Sequence, residues 1–259
     1  VTARVAAVWL VLLVVVGLGA PCTGYDPATG VDVAWASAGP SWAHPLGTDH
    51  LGRDVLARLA FACRAFAAPS VLAAAVLCGV GAPAGLVAGL RGGALAAWLA
   101  RCFLVPAAVP EIPAVLMGVL LFGGSPWVIA ATAGLVGAPV LFNDVRSRVD
   151  EARHTGLILG NRAHGVPEWR IVLVHLGWGV CRGLVARHAA RAVAGFIVLE
   201  ATLSWLGHWG VQEPSPSWGN MIAFDWGHPN TLAVAAPAAA LFSVALATSA
   251  LADAWRAVD

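Results

Sequence analysis

From Phe66 to Leu90 the chain carries no charged side chain. A run of that length cannot coat a water-facing surface, and about 20 apolar residues is what a helix needs to cross a bilayer. The chain as a whole agrees, with 59% hydrophobic and 11% charged residues, against about 25% charged in a soluble domain. Most of its exterior must face lipid. Six apolar stretches are long enough to read as spans: Val5–Ala20, Phe66–Leu90, Ala97–Phe122, Pro126–Phe142, Val172–Leu206 and Leu232–Leu251. The expectation is an all-α membrane protein of six transmembrane helices. Residues 1–43 supply the first helix and an outer loop, and residues 44–259 a five-helix domain with a polar cytoplasmic loop at about 143–176. The first stretch also has the form of a signal peptide, with Arg4 before an apolar core and small residues after it.

Arginine placement sets the orientation. With the N-terminus inside, Arg4, Arg91, Arg101, Arg146, Arg148, Arg153, Arg162, Arg170 and Arg256 lie in the cytoplasm and Arg53, Arg58 and Arg64 outside. Both termini are therefore expected to be cytoplasmic. Prolines 69, 83, 106, 110, 113 and 139 fall within the spans, where neighbouring helices satisfy the backbone groups they free.

Several chemistries are excluded. All fifteen basic residues are arginine, so the chain lacks the lysine of a phosphate-binding loop and that of a Schiff base. A net charge of +1 gives no reason to expect nucleic acid. The five cysteines have neither C-x-x-C nor zinc-site spacing, and read as small buried apolar residues. No G-x-S-x-G and no Ser/His or paired-aspartate arrangement points to an intramembrane hydrolase. No catalytic residue, resident metal or cofactor is expected.

One segment stands apart, "HPLGTDHLGRD" at 44–54. Thr48 or Asp49 suits a helix N-cap. Asp49 and Arg53, then Asp54 and Arg58, are spaced four apart in the acid-first order that favours a helix. The reading is a short amphipathic helix on the outer membrane surface with solvated charges.

"HPLGTDHLGRDVLARLAFACRAF" resembles the segment after the first span in C-type permease subunits of the dipeptide/oligopeptide/nickel class of ABC importers. "EATLSWLGHWGVQEPSPSWGNMI" at 200–222 and "LADAWRAVD" at 251–259 resemble two further segments of that family, in order. The resemblance implies the type I importer permease fold in a bacterial cytoplasmic membrane. It implies a second homologous permease, two ATPase subunits that bind ATP and magnesium, and an extracytoplasmic solute-binding protein. That protein would meet the outer face, here His44, Asp49, Arg53, Pro216 and Trp218. The cargo would be di- or oligopeptides. A nickel or metal-chelate cargo is the alternative, and a degenerate permease or scaffold without ATP coupling a remoter one.

The family's mechanical element is a cytoplasmic loop that docks on the ATPase. It corresponds to "LGNRAHGVPEWRIVLVHLGWG" at 159–179, with Arg162, Gly165, Pro167, Trp169, Arg170 and His175 as docking residues. Leu159, Gly160 and Asn161 replace the family's Glu-Ala-Ala, and Gly177-Trp178 replace its Leu-Pro. Glycine costs a helix about 1 kcal/mol relative to alanine, so a shorter or looser docking helix is expected.

Charges within spans normally face a bundle interior or water. Arg187 and Arg191 share one face of span five and are candidates to line a path for a carboxylate-bearing solute. The competing reading starts span five later and lets Arg182 reach the inner interface. Glu111 in span three and Glu200 near the outer end of span five are either path residues or polar ties between helices. His44, His50, His208 and His228 fall outside the membrane without tight ligand spacing. Trp205, Trp209, Trp218 and Trp226 read as an interfacial aromatic belt.

Overall fold

The computed structural model describes residues 2–23, 26, 30–154, 156–207 and 209–256; His208 and the last three residues of the C-terminal motif lie outside them. The helices are α1 (Thr2–Gly19), α2 (Val55–Arg91), α3 (Gly93–Ala107), α4 (Glu111–Phe122) and α5 (Pro126–His154). They continue as α6 (Leu157–Ala163), α7 (Glu168–Arg170), α8 (Arg182–Trp205), α9 (Trp218–Asp225) and α10 (Leu232–Arg256). A π-helix, Ile171–Val180, joins α7 to α8. Among the described residues the only β-type pairing is an isolated bridge between Thr48 and Asp54.

Helices α2, α5 and α10 are each long and apolar enough to cross a membrane, and α3 with α4 makes a fourth if the bent pair is one span. α1 is a shorter apolar helix, and α8 carries three arginines and Glu200 along its 24 residues.

α2 and α5 form the central pair. Gly81, Gly85 and Gly89 recur every four residues along one face of α2. A Cβ on them would sit 2.7 Å from the Ala138 oxygen, 2.8 Å from the Phe142 oxygen and 2.8 Å from the Arg146 oxygen. Without lipid exclusion as a driving force, small residues that let backbones approach are what hold membrane helices together. Gly134 of α5 returns the contact against Ala73 and Val76, and Gly118 ties α4 to Thr132 of α5. Two apolar clusters flank this seam. One gathers Phe66, Ile129, Phe196, Leu203, Trp218 and Met221 toward the start of α2. The other gathers Leu141, Val145, Val149, Ile158, Ile171 and Leu176 toward its end.

Four expectations about the elements need correction. Residues 44–54 are not helical; α2 begins at Val55 with Asp54 as its N-cap, its carboxylate accepting from the Ala57 N–H at 2.7 Å. The helix is excluded upstream because Gly47 and Gly52 take φ of +75° and +79°, left-handed values that only glycine adopts routinely. The third span is broken, with α3 and α4 meeting at 86°. Pro110 caps α4 without an N–H to continue the ladder, and Pro106 weakens the end of α3. The fourth span does not stop at Phe142, since α5 runs on to His154. The fifth is divided at Cys181 between the π-helix and α8.

Candidate functional site

At the end of the bundle where α2 begins, the charged segment folds into a buried ionic knot. Asp49 and Arg53 pair as their spacing leads one to expect, but across a turn instead of along a helix. Asp49 is fully buried. Its Oδ1 accepts from the N–H groups of Leu51 (2.9 Å) and Arg53 (2.8 Å), and its Oδ2 from Arg53 Nε at 2.7 Å. Arg58 turns to the same carboxylate, Nε to Oδ2 at 3.3 Å, rather than to Asp54. Asp54 takes His44 Nδ1 at 2.7 Å instead.

Glu213 closes the knot from 155 residues away, accepting from Arg53 Nη1 at 2.5 Å and Arg58 Nη2 at 2.7 Å. Burial works against the Arg53 charge. The hydrogen bond to Glu213 and the charge of Asp49 outweigh it, so the guanidinium pKa stands above its ordinary value. Arg58 Nη1 is buried without a hydrogen-bond partner among the described residues.

The knot also gathers the chain behind it. Asn230 Nδ2 donates to the carbonyls of Leu46 (3.0 Å) and Thr48 (2.9 Å). Trp218 Nε1 donates to the Leu59 carbonyl at 3.2 Å, with its ring against Phe66. His50 donates its N–H to Asp225 at 2.8 Å. Asp49, His50 and Asp225 bring ligand atoms within 4.8 Å of one another, a grouping that spacing along the chain does not reveal. Both oxygens of Asp49 and Oδ1 of Asp225 already accept from the donors just named. The segment therefore ties the start of α2 to the α8–α9 loop, α9 and the link to α10.

This corrects the expected outer contact surface. Asp49, Arg53, Pro216 and Trp218 are interior, and Trp218 leaves the expected interfacial belt. His44 is partly exposed. Trp35, Trp42, Trp205 and Trp226 remain exposed on this side.

At the opposite end, α6, a turn and α7 make a projecting loop. Gly165 turns the chain with φ +71°, and its N–H donates to the Arg162 carbonyl at 2.9 Å. Arg162 and Glu168 brace the turn with two parallel hydrogen bonds, 2.7 and 3.2 Å. That bond from Arg162 lowers the Glu168 pKa below its usual value. Pro167 caps α7. Ile158 and Ile171 anchor the loop's two ends in the apolar cluster on α5, which leaves Arg162, Pro167, Trp169 and Arg170 exposed and His175 half-buried in the π-helix. A cavity of about 700 Å³ beside the loop is lined by Arg91, Arg153, Arg162 and Trp169.

Within the bundle, the four candidate path residues divide. Glu200 is buried as a tie between α8 and α9, accepting from Ser204 Oγ at 2.6 Å and Ser217 Oγ at 3.3 Å. Arg191 and Glu111 line one cavity of about 250 Å³ together with His188. Arg187 lines a second, of about 380 Å³, with Asp144, Ser147 and Glu151. His188 and Asp144 bond across the boundary between these cavities at 2.8 Å. Asp144 and Glu213 are the functional candidates that reading the sequence misses. Asp144 falls in the polar stretch after Phe142, but nothing local names His188 as its partner.

Comparison with known proteins matches residues 81–257 to a family described as the binding-protein-dependent transport system inner membrane component. A peptide permease protein of Brucella suis is 30% identical over 74% of this chain and 63% of its own length. The oligopeptide transport system permease protein of Haemophilus influenzae is 31% identical over 56% of this chain and 46% of its own. The dipeptide transport system permease protein of Alkalihalophilus pseudofirmus is 30% identical over 55% and 46%. The chain thus spans less than two thirds of the length of these relatives. Since the family match covers well over half of the sequence, this chain belongs to the binding-protein-dependent transport system inner membrane components.

Proposed function

We propose that this chain is one of two membrane subunits of an ATP-driven peptide importer in a bacterial cytoplasmic membrane, with both termini cytoplasmic. A second permease, two ATPase subunits and an extracytoplasmic solute-binding protein complete the complex. ATP and magnesium are held by the ATPase subunits, and this chain carries no catalytic group.

The observation that carries the reading is the braced loop at 157–170. Trp169 is 63% exposed on a turn fixed by Gly165 and the Arg162–Glu168 pair, and exposed Trp and Arg are the residues that dominate interface energetics. Closure of the ATPase dimer pushes on this loop, which passes the movement into α5 and the π-helix through Ile158 and Ile171. Relatives named as peptide, oligopeptide and dipeptide permeases support a peptide cargo. The aspartate–histidine group does not favour metal cargo, because three of its four carboxylate oxygens already accept hydrogen bonds.

The test is co-purification from native membranes in mild detergent. The wild-type chain should bring ATPase subunits with it. Trp169→Ala should lower their yield by about tenfold, as loss of an interface hot spot does. ATPase subunits absent from the wild-type preparation, or equally abundant with Trp169→Ala, would refute the docking role.

A further inference from the structure

Glu111 and Arg191 are exposed charges on an otherwise apolar bundle, and the fold does not pair them. Arg191 lies about 13 Å along α8 from Arg182, at 1.5 Å per residue. Glu111 opens the first turn of α4, where the third span breaks by 86°. Both line the same cavity of about 250 Å³. Neither has a hydrogen bond or ion pair among the described residues, with the other or with any third group. Opposite charges that share a cavity and do not meet leave room between them.

The rest of the cavity fits a small solute. Gly134 and Gly137 of α5 line it where α5 packs close against α2, and Leu77 and Phe196 supply apolar surface. His188 also faces it, but its Nε2 is committed to Asp144. Ionisable groups inside membrane bundles mark solute paths. Broken helices at mid-membrane are where transporters build binding sites.

We infer that this cavity is a charge-reading site for short zwitterionic peptides, with Arg191 taking the carboxylate and Glu111 the ammonium. This rests on the importer reading above and adds a recognition step inside the membrane subunit. A guanidinium matches a carboxylate through two parallel N–H···O bonds, and a carboxylate accepts from an ammonium through charge-assisted ones. The cavity is smaller than the about 300–1,000 Å³ of sites that enclose drug-sized ligands. It therefore suits a solute of one or two residues, in which the two termini lie close together.

Saturation-transfer NMR on the intact complex, purified without its solute-binding protein, tests this with alanyl-alanine, its C-terminal amide and its N-acetyl form as probes. Wild type should bind the free dipeptide about tenfold more tightly than either blocked form. Arg191→Gln should erase the preference for acid over amide and keep that for amine over acetyl; Glu111→Gln should do the reverse. Arg191→Lys and Glu111→Asp, which keep the charges, should preserve both preferences and show that the site still folds. Wild type that treats the three probes alike, or neutral variants that keep both preferences, would overturn the inference. ATP-driven uptake of alanyl-alanine into proteoliposomes with the binding protein present separates the two claims. No uptake by wild type defeats the importer reading. Uptake without discrimination in the NMR experiment defeats the charge-reading site alone.

Discussion

Replacing Asp49 by alanine removes the centre of the ionic knot. Asp49 is fully buried and accepts from two backbone N–H groups and Arg53 Nε, with Arg58 Nε at 3.3 Å. Without it, two buried guanidinium groups share a single counter-charge, Glu213, whose side chain is 25% exposed. Removing one partner of a buried ion pair costs about 3–5 kcal/mol, and two backbone donors lose their acceptor as well, so we expect about 4 kcal/mol. At about 2–4 °C per kcal/mol for a chain of this size, the melting temperature should fall by roughly 8–16 °C. Tryptophan-fluorescence melting of the detergent-purified protein, checked by size exclusion, measures it. The same reasoning demands a partial rescue. Arg58→Met in the Asp49→Ala background takes away the surplus buried cation and should recover part of the loss. An Asp49→Ala protein that melts within about 2 °C of wild type would refute the account. So would an Arg58→Met substitution that lowers the double variant further.

Gly85→Val places a Cβ 2.8 Å from the Phe142 oxygen and 2.8 Å from Val145 Cβ, and overpacking of this kind costs about 1–3 kcal/mol; an unchanged melt would show that the α2–α5 seam can yield. Ser217→Ala removes both the capping box of α9 and one partner of Glu200; it should cost about 1 kcal/mol and speed hydrogen–deuterium exchange across 218–225, whereas unchanged exchange would deny the cap its role. The Glu168 pKa is lowered, chiefly by the hydrogen bond from Arg162. The brace is therefore complete above the ordinary carboxylate pKa and is lost as pH falls through the depressed one. Glu168→Gln at neutral pH should reproduce the faster exchange that wild-type residues 159–170 show on acidification, and a protected loop in that variant would contradict the brace.

The apolar runs that become α2, α5 and α10 are legible because a continuous apolar run satisfies its own backbone in lipid as a helix long enough to cross it. The projecting loop is legible too, since Gly165 and Pro167 punctuate the chain where it turns. The 44–54 segment was harder. Its charges have helical spacing, but Gly47 and Gly52 hold left-handed φ, and a Cβ on Gly52 would overlap the Asp32 carbonyl. Its other partners, Glu213, Asp225 and Asn230, lie more than 150 residues away, beyond any local pattern. In the third span, Pro106, Pro110 and Pro113 announce a bend, but its 86° depends on how α4 packs on α5. The four-residue spacing of Gly81, Gly85 and Gly89 is a sequence signal for close helix contact, though only the structure shows that α5 fills it.

α2 is one continuous helix of 37 residues, about 55 Å at 1.5 Å per residue and well beyond the roughly 30 Å of a hydrocarbon core. Its first turn is fixed in the ionic knot, and its last, at Leu90 and Arg91, borders the cavity beside the projecting loop. A rod anchored at one end behaves as a lever. A tilt of about 5° about the anchor carries the far end through about 5 Å, close to one helical turn. Pro69 and Pro83 mark where such a rod flexes, and the glycine seam between them and its end makes α5 travel with it. In the importer proposed above, a thrust on the projecting loop would reach the ionic knot as rotation of α2, with no wire of rearranging side chains between.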